Sequence, residues 1–310
     1  MNRRLALALT LIVSGAASAQ QQQPSVALIS KGFQHQFWQA VKAGAEKAGA
    51  DYKVKVTFEG PESEAMVDKQ IDMLAATLAR KPSAIGFAAL DSQAAVPLLK
   101  KAQAAKIPVI AFDSGVDSPV PLATAATDNR AAAALAADKL AALIGDAGEV
   151  AVVAHDQTSR TGMERRDGFL DRMKSAHPKV TVASVQYGAG DHLKSTEVAR
   201  SLIESRPKLK GLFGTNEGSA VGIVNALRES KRKGIVVVGF DSGKQQKDAI
   251  KSGLMTGAIT QDPVGIGYKT VEAAVMALQG KPVPKQIDTG FHWYDKSNIA
   301  DPKIAALLYD

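Results

Sequence analysis

Two carboxylates, Asp113 and Asp241, end two apolar runs of the sequence. Each lies in the same tetrapeptide, FDSG, at 112–115 and again at 240–243. A single Asp after a strand most simply caps the turn or helix that follows it. A matched pair in two halves of a chain favours a second role, because two lobes that face each other would direct both carboxylates into one cleft. There they would accept hydrogen bonds from a bound molecule.

Aromatic residues follow the first apolar run, in the segment KGFQHQFW at 31–38. Phe37 and Trp38 lie beside His35 in a chain that is only 5% aromatic. A flat aromatic face can stack on the C–H bonds of a sugar ring while the hydroxyls bond at its edge. The alternative is that both rings begin a helix and pack inward. We expect at least one ring to pack inward and predict that one of the two stacks on the ligand.

Three further planar polar side chains, Arg165, Asn216 and Gln261, lie close to the ends of other predicted elements. Such groups can bind pairs of neighbouring hydroxyls, because carboxylates and amides accept hydrogen bonds and arginine donates them. A ligand that lacks one hydroxyl would leave a buried partner unpaired, which makes recognition selective. The set predicts a site for a small uncharged molecule rich in hydroxyl groups.

Catalytic motifs give little support to an enzyme. The chain has no cysteine, no GxSxG after a strand and no HExxH, and the turn after its first apolar run lacks GxGxxG. A P-loop is also absent, and GIG at 265–267 is more simply explained by close packing of a helix. A glycosidase would need two carboxylates about 5–10 Å apart and one raised pKa. We therefore predict a binding protein without catalytic residues, metal or cofactor.

Short apolar runs alternate along the chain with longer segments of helical spacing, which is typical of parallel sheets with crossover helices. Predicted strands lie at 25–30, 53–60, 84–90, 108–113, 122–128, 149–155, 180–188, 211–216 and 235–241. Predicted helices lie near 36–49, 62–81, 93–106, 129–146, 160–176, 191–206 and 217–232. Because the runs are almost continuously apolar, helices should cover both faces of each sheet. The fold class is α/β, with two Rossmann-like lobes of three layers each.

The first nineteen residues have the pattern of a secretory signal peptide. MNRR precedes the apolar run LALALTLIV, and ASA at 17–19 supplies the small residues of a cleavage site. We expect the mature chain to begin near Gln20 and to reach the periplasm without a lipid anchor, because that site has no cysteine. The formal net charge of +7 is scattered along the chain, which disfavours nucleic-acid binding.

The ordered motifs resemble the periplasmic monosaccharide-binding proteins of the ribose and galactose type, which deliver sugars to ABC importers. The marks are VALIS followed by FW, PVIAFDSG, ATDN, RxxGF at 165–169, GLFGTNEGSAVG, VVVGFDSG and GAITQDPVGIGYKTVEAAV. The resemblance implies the type I periplasmic binding fold, whose lobes are joined by three hinge strands, here near 127–129, 261–263 and 288–293. It implies a first lobe of 24–127 with 263–290 and a second lobe of 128–262 with 291–310.

The resemblance also implies a ligand-binding set. Its members are Phe37 or Trp38 for stacking, Asp113 from the first lobe, and Arg165, Asn216, Asp241 and Gln261 from the second lobe and the hinge. The sequence departs from ribose binders at three places. Ser114, which we include in the predicted site, stands where they carry Arg; Gln34, His35 and Gln36 replace an Asn-rich stretch; and Gly190 stands where an aromatic residue faces the sugar. Tyr187, His192 or His155 could substitute for that aromatic residue.

These departures leave the ligand open among pentoses, hexoses and related polyols. The resemblance implies a monomer whose partners are a membrane permease and its ATPase, and whose lobes close on the ligand about the hinge. Two alternatives stay open. One is a receptor for a furanosyl signal or a nucleoside, and the other is a sugar sensor that serves a chemoreceptor or a membrane kinase.

Overall fold

The computed structural model describes residues 23–230 and 232–309, so the predicted signal peptide at 1–19 lies outside the described residues. In chain order the strands are β1 (Ser25–Ile29), β2 (Lys55–Glu59), β3 (Ala84–Phe87), β4 (Val109–Phe112), β5 (Ala123–Ala126), β6 (Gly148–Ala154), β7 (Val180–Tyr187), β8 (Leu209–Gly214), β9 (Val236–Phe240), β10 (Gly257–Gln261), β11 (Gln286–Asp288) and β12 (Phe291–Asp295). The helices are α1 (Gln36–Tyr52), α2 (Val67–Ala79), α3 (Val96–Ala104), α4 (Asn129–Leu143), α5 (Arg160–Ala176), α6 (His192–Ser205), α7 (Glu217–Glu229), α8 (Lys244–Ser252), α9 (Pro263–Leu278) and α10 (Pro302–Ala305).

The strands form two six-stranded sheets. The first sheet has the order β11-β5-β4-β3-β1-β2 and is parallel throughout. The second has the order β12-β10-β9-β8-β6-β7, in which β12 is antiparallel to β10 and all the other pairs are parallel. Strands β3 and β4 are buried along their whole length. Burial on both faces explains why these strands read as continuous apolar runs.

Helices cover both faces of each sheet. Helices α1 and α9 pack on one face of the first sheet around Leu28 and Ile266, and α2 and α3 cover the other face around Leu74 and Leu99. In the second sheet α4 and α5 cover one face, and α6, α7 and α8 cover the other. We call the first sheet with α1, α2, α3 and α9 the first lobe, and the second sheet with α4 to α8 the second lobe. The predicted α/β fold with two three-layer lobes is confirmed.

The chain passes between the sheets at three places: after β5, after β10 and between β11 and β12. From these passages we propose a first lobe of 24–127 with 263–290 and a second lobe of 128–262 with 291–310. Tyr309 contacts both lobes. Its ring packs on Phe37 of the first lobe with centroids 6.2 Å apart. The same tyrosine hydroxyl accepts a hydrogen bond from the Ser242 N–H of the second lobe.

Some predicted elements are shorter in the structure, and α8, α10, β10 and β11 were not predicted. The strand predicted at 84–90 ends at Phe87. The helices predicted at 62–81 and 93–106 begin at Val67 and Val96. Helix α8 was missed because its nine residues, KQQKDAIKS, are too few and too polar for a clear helical period. Strand β10 was not predicted, and only its last residue, Gln261, was assigned to the hinge.

Helices α1 and α9 approach closely at Gly267, in agreement with the packing role expected for GIG. A Cβ on Gly267 would lie 1.9 Å from the carbonyl oxygen of Val41. We expect Gly267→Ala to lower the free energy of unfolding by roughly 1–3 kcal/mol, because the two helices must separate to accept the methyl group. Chemical denaturation of the purified protein measures this difference.

The matched control is Gly115→Ala, where the nearest atom to a new Cβ is 3.8 Å away. This variant should unfold at nearly the parental denaturant concentration. Equal stabilities for the two variants would contradict the close helix contact.

Candidate functional site

A cavity lies between the two lobes at the carboxyl ends of their strands, where ligands bind in open α/β sheets. Its empty volume is about 270 Å³. The residues that line it are Lys31, His35, Phe37, Trp38, Glu64, Asp113, His155, Thr161, Arg165, Asn216, Asp241 and Gln261. Every residue of the predicted set except Ser114 is among them. Ser114 is buried beside Asp113, and its Oγ has no hydrogen-bond partner within the described part of the chain.

The repeated FDSG tetrapeptide has the same backbone conformation in both lobes. Asp113 and Asp241 have positive φ angles of 55° and 79°. The Asp113 N–H donates to Ala125 O of the neighbouring strand, and the Asp241 N–H donates to Ile259 O in the same way. Asp is among the residues that tolerate this left-handed conformation. The tetrapeptide is therefore a strand-end turn that places a carboxylate in the cavity once from each lobe.

Asp241 is held firmly by two donors. Its Oδ1 accepts a hydrogen bond of 2.7 Å from Gln261 Nε2, and its Oδ2 accepts one of 2.9 Å from the Glu217 N–H at the start of α7. The capping alternative is thus correct in part, although Asp241 caps α7 and not α8, the helix that follows it. Burial raises the pKa of Asp241, while the nearby Arg165 guanidinium acts to lower it.

Asp113 is free to bind a ligand, because no described residue donates a hydrogen bond to its carboxylate. Burial raises the pKa of Asp113 to about 6, against the opposing charges of Lys31 and Arg165. An ionised carboxylate in this position needs hydrogen-bond donors that the protein does not provide. Hydroxyl groups of a ligand would provide them.

Arg165 is fixed by three contacts. Its Nε donates to Asn129 Oδ1 at 2.8 Å, and its Nη1 donates to the Thr215 carbonyl oxygen at 2.9 Å. The guanidinium carbon lies 3.8 Å from the centre of the Phe240 ring, which adds a cation–π contact. Since a guanidinium has five N–H donors, several remain for a ligand.

The two side-chain amides offer one donor group and one acceptor. Asn216 is the N-cap of α7, and its Oδ1 accepts from the Ser219 N–H, so its NH₂ group is left for a ligand. Gln261 uses its Nε2 on Asp241, and its Oε1 has no partner among the described residues. The cavity thus combines free acceptors with free donors, as recognition of hydroxyl groups requires.

Both predicted aromatic residues pack inward while still lining the cavity. Trp38 is only 1% exposed, and its indole N–H donates to Glu64 Oε1 at 2.8 Å. The Phe37 ring packs edge-on against Trp38, with centroids 4.9 Å apart. These contacts fix both rings at the start of α1.

An ion-pair cluster around Lys31 was missed by sequence reasoning. Lys31 is 2% exposed, and its Nζ lies 3.7 Å from both Glu64 Oε2 of its own lobe and Asp156 Oδ2 of the second lobe. It also donates to Thr161 Oγ1 at 3.2 Å. Burial alone would lower the pKa of Lys31, but these carboxylates raise it above its ordinary value. Lys31 and Glu64 lie in the loops after β1 and β2, where the sequence does not distinguish them from solvated charges.

The three candidates for an aromatic residue opposite Phe37 differ in position. His155 lines the cavity, its ring is bonded to Thr215 Oγ1 and Thr161 Oγ1, and burial lowers its pKa well below the ordinary value. The Tyr187 hydroxyl accepts a hydrogen bond from Arg166, and His192 stacks on the His35 ring. Neither Tyr187 nor His192 lines the cavity.

The lobes cap each other's helices across the cleft. The N-cap of α1, His35, makes no capping hydrogen bond with its own side chain. Instead the Gln36 and Phe37 N–H groups each donate at 3.2 Å to the carboxylate of Glu217 in the second lobe. In return the Gln36 side-chain oxygen accepts from the Lys244 N–H at the start of α8. These bonds exist only while the lobes are closed.

Comparisons with known proteins identify the family of this chain. Residues 26–282 match the family described as the periplasmic binding protein domain. The chain belongs to this family. It is 29% identical over 270 residues to the D-ribose/D-allose-binding protein of Pseudomonas aeruginosa, with 84% of each chain covered. It is also 29% identical to the ribose import binding protein of Salmonella typhimurium, over 90% of this chain and 92% of the relative.

Solved structures resemble this periplasmic binding protein over nearly its whole length. A carbohydrate transporter solute-binding protein from Agrobacterium radiobacter, in complex with D-arabinose, has a TM-score of 0.89 and 34% identity and covers 93% of this chain and 99% of its own. An ABC transporter solute-binding protein from Agrobacterium vitis, bound with α-D-tagatopyranose, has a TM-score of 0.89 and 33% identity. It covers 93% of this chain and 100% of its own. Within 23–230 and 232–309, no helix has the length and apolar character needed to cross a membrane.

The raised pKa of Asp113 makes a prediction about stability. A carboxyl group whose pKa is about 6 in the folded protein and 3.8 in the unfolded chain binds its proton more tightly when folded. Its contribution therefore falls as pH rises from about 4 to about 6, by up to roughly 3 kcal/mol. We expect Asp113→Asn to gain stability relative to the unliganded parent over this interval, as measured by urea unfolding at several pH values.

Ser114→Ala is the control, because it changes a neighbouring buried group without removing an acid. Its unfolding free energy should follow that of the parent at each pH. Parallel curves for the parent and Asp113→Asn would show that the Asp113 carboxylate is solvated.

Proposed function

We propose that this protein captures one monosaccharide between its lobes and delivers it to an ABC importer. The observation that carries the proposal is the convergence of Asp113 and Asp241, each from a different lobe, on one closed cavity. No single lobe presents a complete set of partners. A molecule that satisfies both carboxylates must therefore lie between the lobes, and its binding favours the closed state.

The chemistry of the lining supports a ligand rich in hydroxyl groups. Gln261 Oε1 is a buried acceptor without a partner among the described residues, none of which donates a hydrogen bond to the Asp113 carboxylate either. The NH₂ group of Asn216 and the remaining N–H groups of Arg165 are donors. A hydroxyl both donates and accepts, so neighbouring sugar hydroxyls can serve both kinds of partner. The Phe37 and Trp38 rings supply an apolar surface for the C–H bonds of a sugar.

The small size of the cavity supports a ligand with a single sugar ring. The cavity is small, with an empty volume of about 270 Å³, and residues of both lobes surround it, which favours a small ligand over an oligosaccharide. Among the structural relatives, one is in complex with D-arabinose, one is bound with α-D-tagatopyranose, and another from Agrobacterium vitis is bound with D-fucose. We accordingly propose a pentose, a hexose or a related polyol as the ligand.

A role in sugar import also implies a location, partners and a hinge for this protein. The signal peptide would direct the chain to the periplasm, where it acts as a monomer and binds without catalysis. A permease and its ATPase would recognise the closed form, in which both lobes present their surfaces in a fixed relation. The hinge would lie at the three passages between the sheets near 127–129, 261–263 and 288–293.

A thermal-shift screen of the mature, tag-free protein tests the ligand class. A ligand present at 100 times its dissociation constant should add about 2.7 kcal/mol of stability. We expect stabilisation by one or a few monosaccharides or polyols. Stabilisation by nucleosides or furanosyl signals together with a flat response to every sugar would replace the proposal with the receptor alternative.

Removal of the second-lobe carboxylate should weaken sugar binding. Asp241→Ala deletes an acceptor and leaves Gln261 Nε2 and the Glu217 N–H without their partner. Loss of one hydrogen bond to a charged group corresponds to about 1.5–3 kcal/mol, or roughly a tenfold to 150-fold fall in affinity. Isothermal titration calorimetry with the sugar found in the screen measures it.

Asp248→Ala is the matched control, since this acid lies half-exposed on α8 and pairs with Lys244. Its affinity should equal that of the parent. Unchanged affinity in Asp241→Ala as well would remove Asp241 from the site.

A further inference from the structure

A second polar cluster lies beside the sugar cavity and joins the two lobes. It consists of His35 from the first lobe with His192 and Glu217 from the second. One ligating atom from each residue lies within 4.8 Å of the other two. The two imidazole rings stack across the cleft with centroids 5.3 Å apart and planes inclined by 23°. The three side chains belong to the starts of α1, α6 and α7, so helix positions fix them.

Two ring nitrogens of this cluster lack partners within the described part of the chain. His35 is 2% exposed, and its Nδ1 is buried without a hydrogen bond. Its other nitrogen, Nε2, lies 3.0 Å from Gln34 Nε2 and 3.9 Å from Glu64 Oε1. His192 Nε2 is likewise buried without a hydrogen bond. Two unpaired nitrogens in one small space are costly unless another group binds them.

Glu217 completes the cluster with a carboxylate whose bonding capacity is not exhausted. Its two oxygens each accept one N–H group of α1, at 3.2 Å. Because a carboxylate has about four lone-pair sites, both oxygens can still coordinate a cation. Two imidazoles and one carboxylate are the donor set of many Zn²⁺ sites with an open position, and imidazole also suits Cu²⁺, Ni²⁺ and Co²⁺.

We propose that His35, His192 and Glu217 form a transition-metal site, with Zn²⁺ as the fitting ion, that links the two lobes in the closed state. The ligating atoms need to approach by about 1 Å to reach the Zn–N and Zn–O distances of about 2.0–2.2 Å. A small further closure of the cleft supplies that movement. Since the site needs ligands from both lobes, only the closed form offers it, and bound metal would stabilise the same state that sugar stabilises.

The site can be tested with metal alone, independently of any sugar. The mature, tag-free protein, freed of metal with a chelator, is titrated with Zn²⁺ by calorimetry, and Co²⁺ absorption reports the coordination geometry. We expect one Zn²⁺ per chain. His35→Ala in the first lobe and His192→Ala in the second should each lower the affinity about tenfold or more and abolish the Co²⁺ absorption band. Circular dichroism checks that both variants are folded.

His292→Ala is the matched control. This histidine is exposed on β12, an edge strand of the second sheet, and does not belong to the cluster. It should bind Zn²⁺ as the parent does. Binding below one Zn²⁺ per chain at 0.1 mM metal, or equal affinity in the parent, His35→Ala and His192→Ala, would overturn the site. His192→Gln, which keeps a polar group at this half-buried position, repeats the test if His192→Ala is unstable. None of these measurements uses a sugar, so they test the metal site even if no sugar stabilises the protein in the thermal-shift screen.

Discussion

The carboxylate of Asp241 is the interaction on which the second lobe's half of the site depends. One buried anion accepts hydrogen bonds from Gln261 at the end of β10 and from the first N–H of α7, so it fixes three element ends relative to one another. Arg165 and Asn216 lie around the same point. Burial raises the pKa of Asp241, and the Arg165 charge and the hydrogen bonds from Gln261 and Glu217 oppose this rise.

Closure brings together charges that neither lobe satisfies alone. Lys31 of the first lobe reaches Asp156 and Thr161 of the second, and Glu217 of the second lobe caps α1 of the first. Charges taken out of water cost free energy that good partners only partly offset. A closed state assembled in this way can be close in energy to an open one. Under the proposed function, a ligand that satisfies the Asp113 carboxylate would favour the closed state.

A single rule, that polar residues at strand ends meet in one cleft, predicted much of the site. It found Asp113 and Asp241 because a repeated tetrapeptide is visible in the sequence. It also found Asn216, which follows β8, and Gln261, which ends β10. It missed Lys31 and Glu64, although they follow strands too, because a lone Lys or Glu in a polar loop is indistinguishable from a solvated one. Helix α8 was missed because nine mostly polar residues carry too weak a period.

The sequence by itself determined the alternation of strands and helices, the two-lobe α/β fold and the strand-end turns that carry the paired carboxylates. These follow from local periodicity and from the residues that tolerate a left-handed turn. Only the tertiary structure decided which side chains are partners: Trp38 with Glu64, Glu217 with the start of α1, and His35 with His192. The reason is that these partners lie far apart along the chain, within one lobe or on different lobes, and such groups leave no periodic signal of their approach.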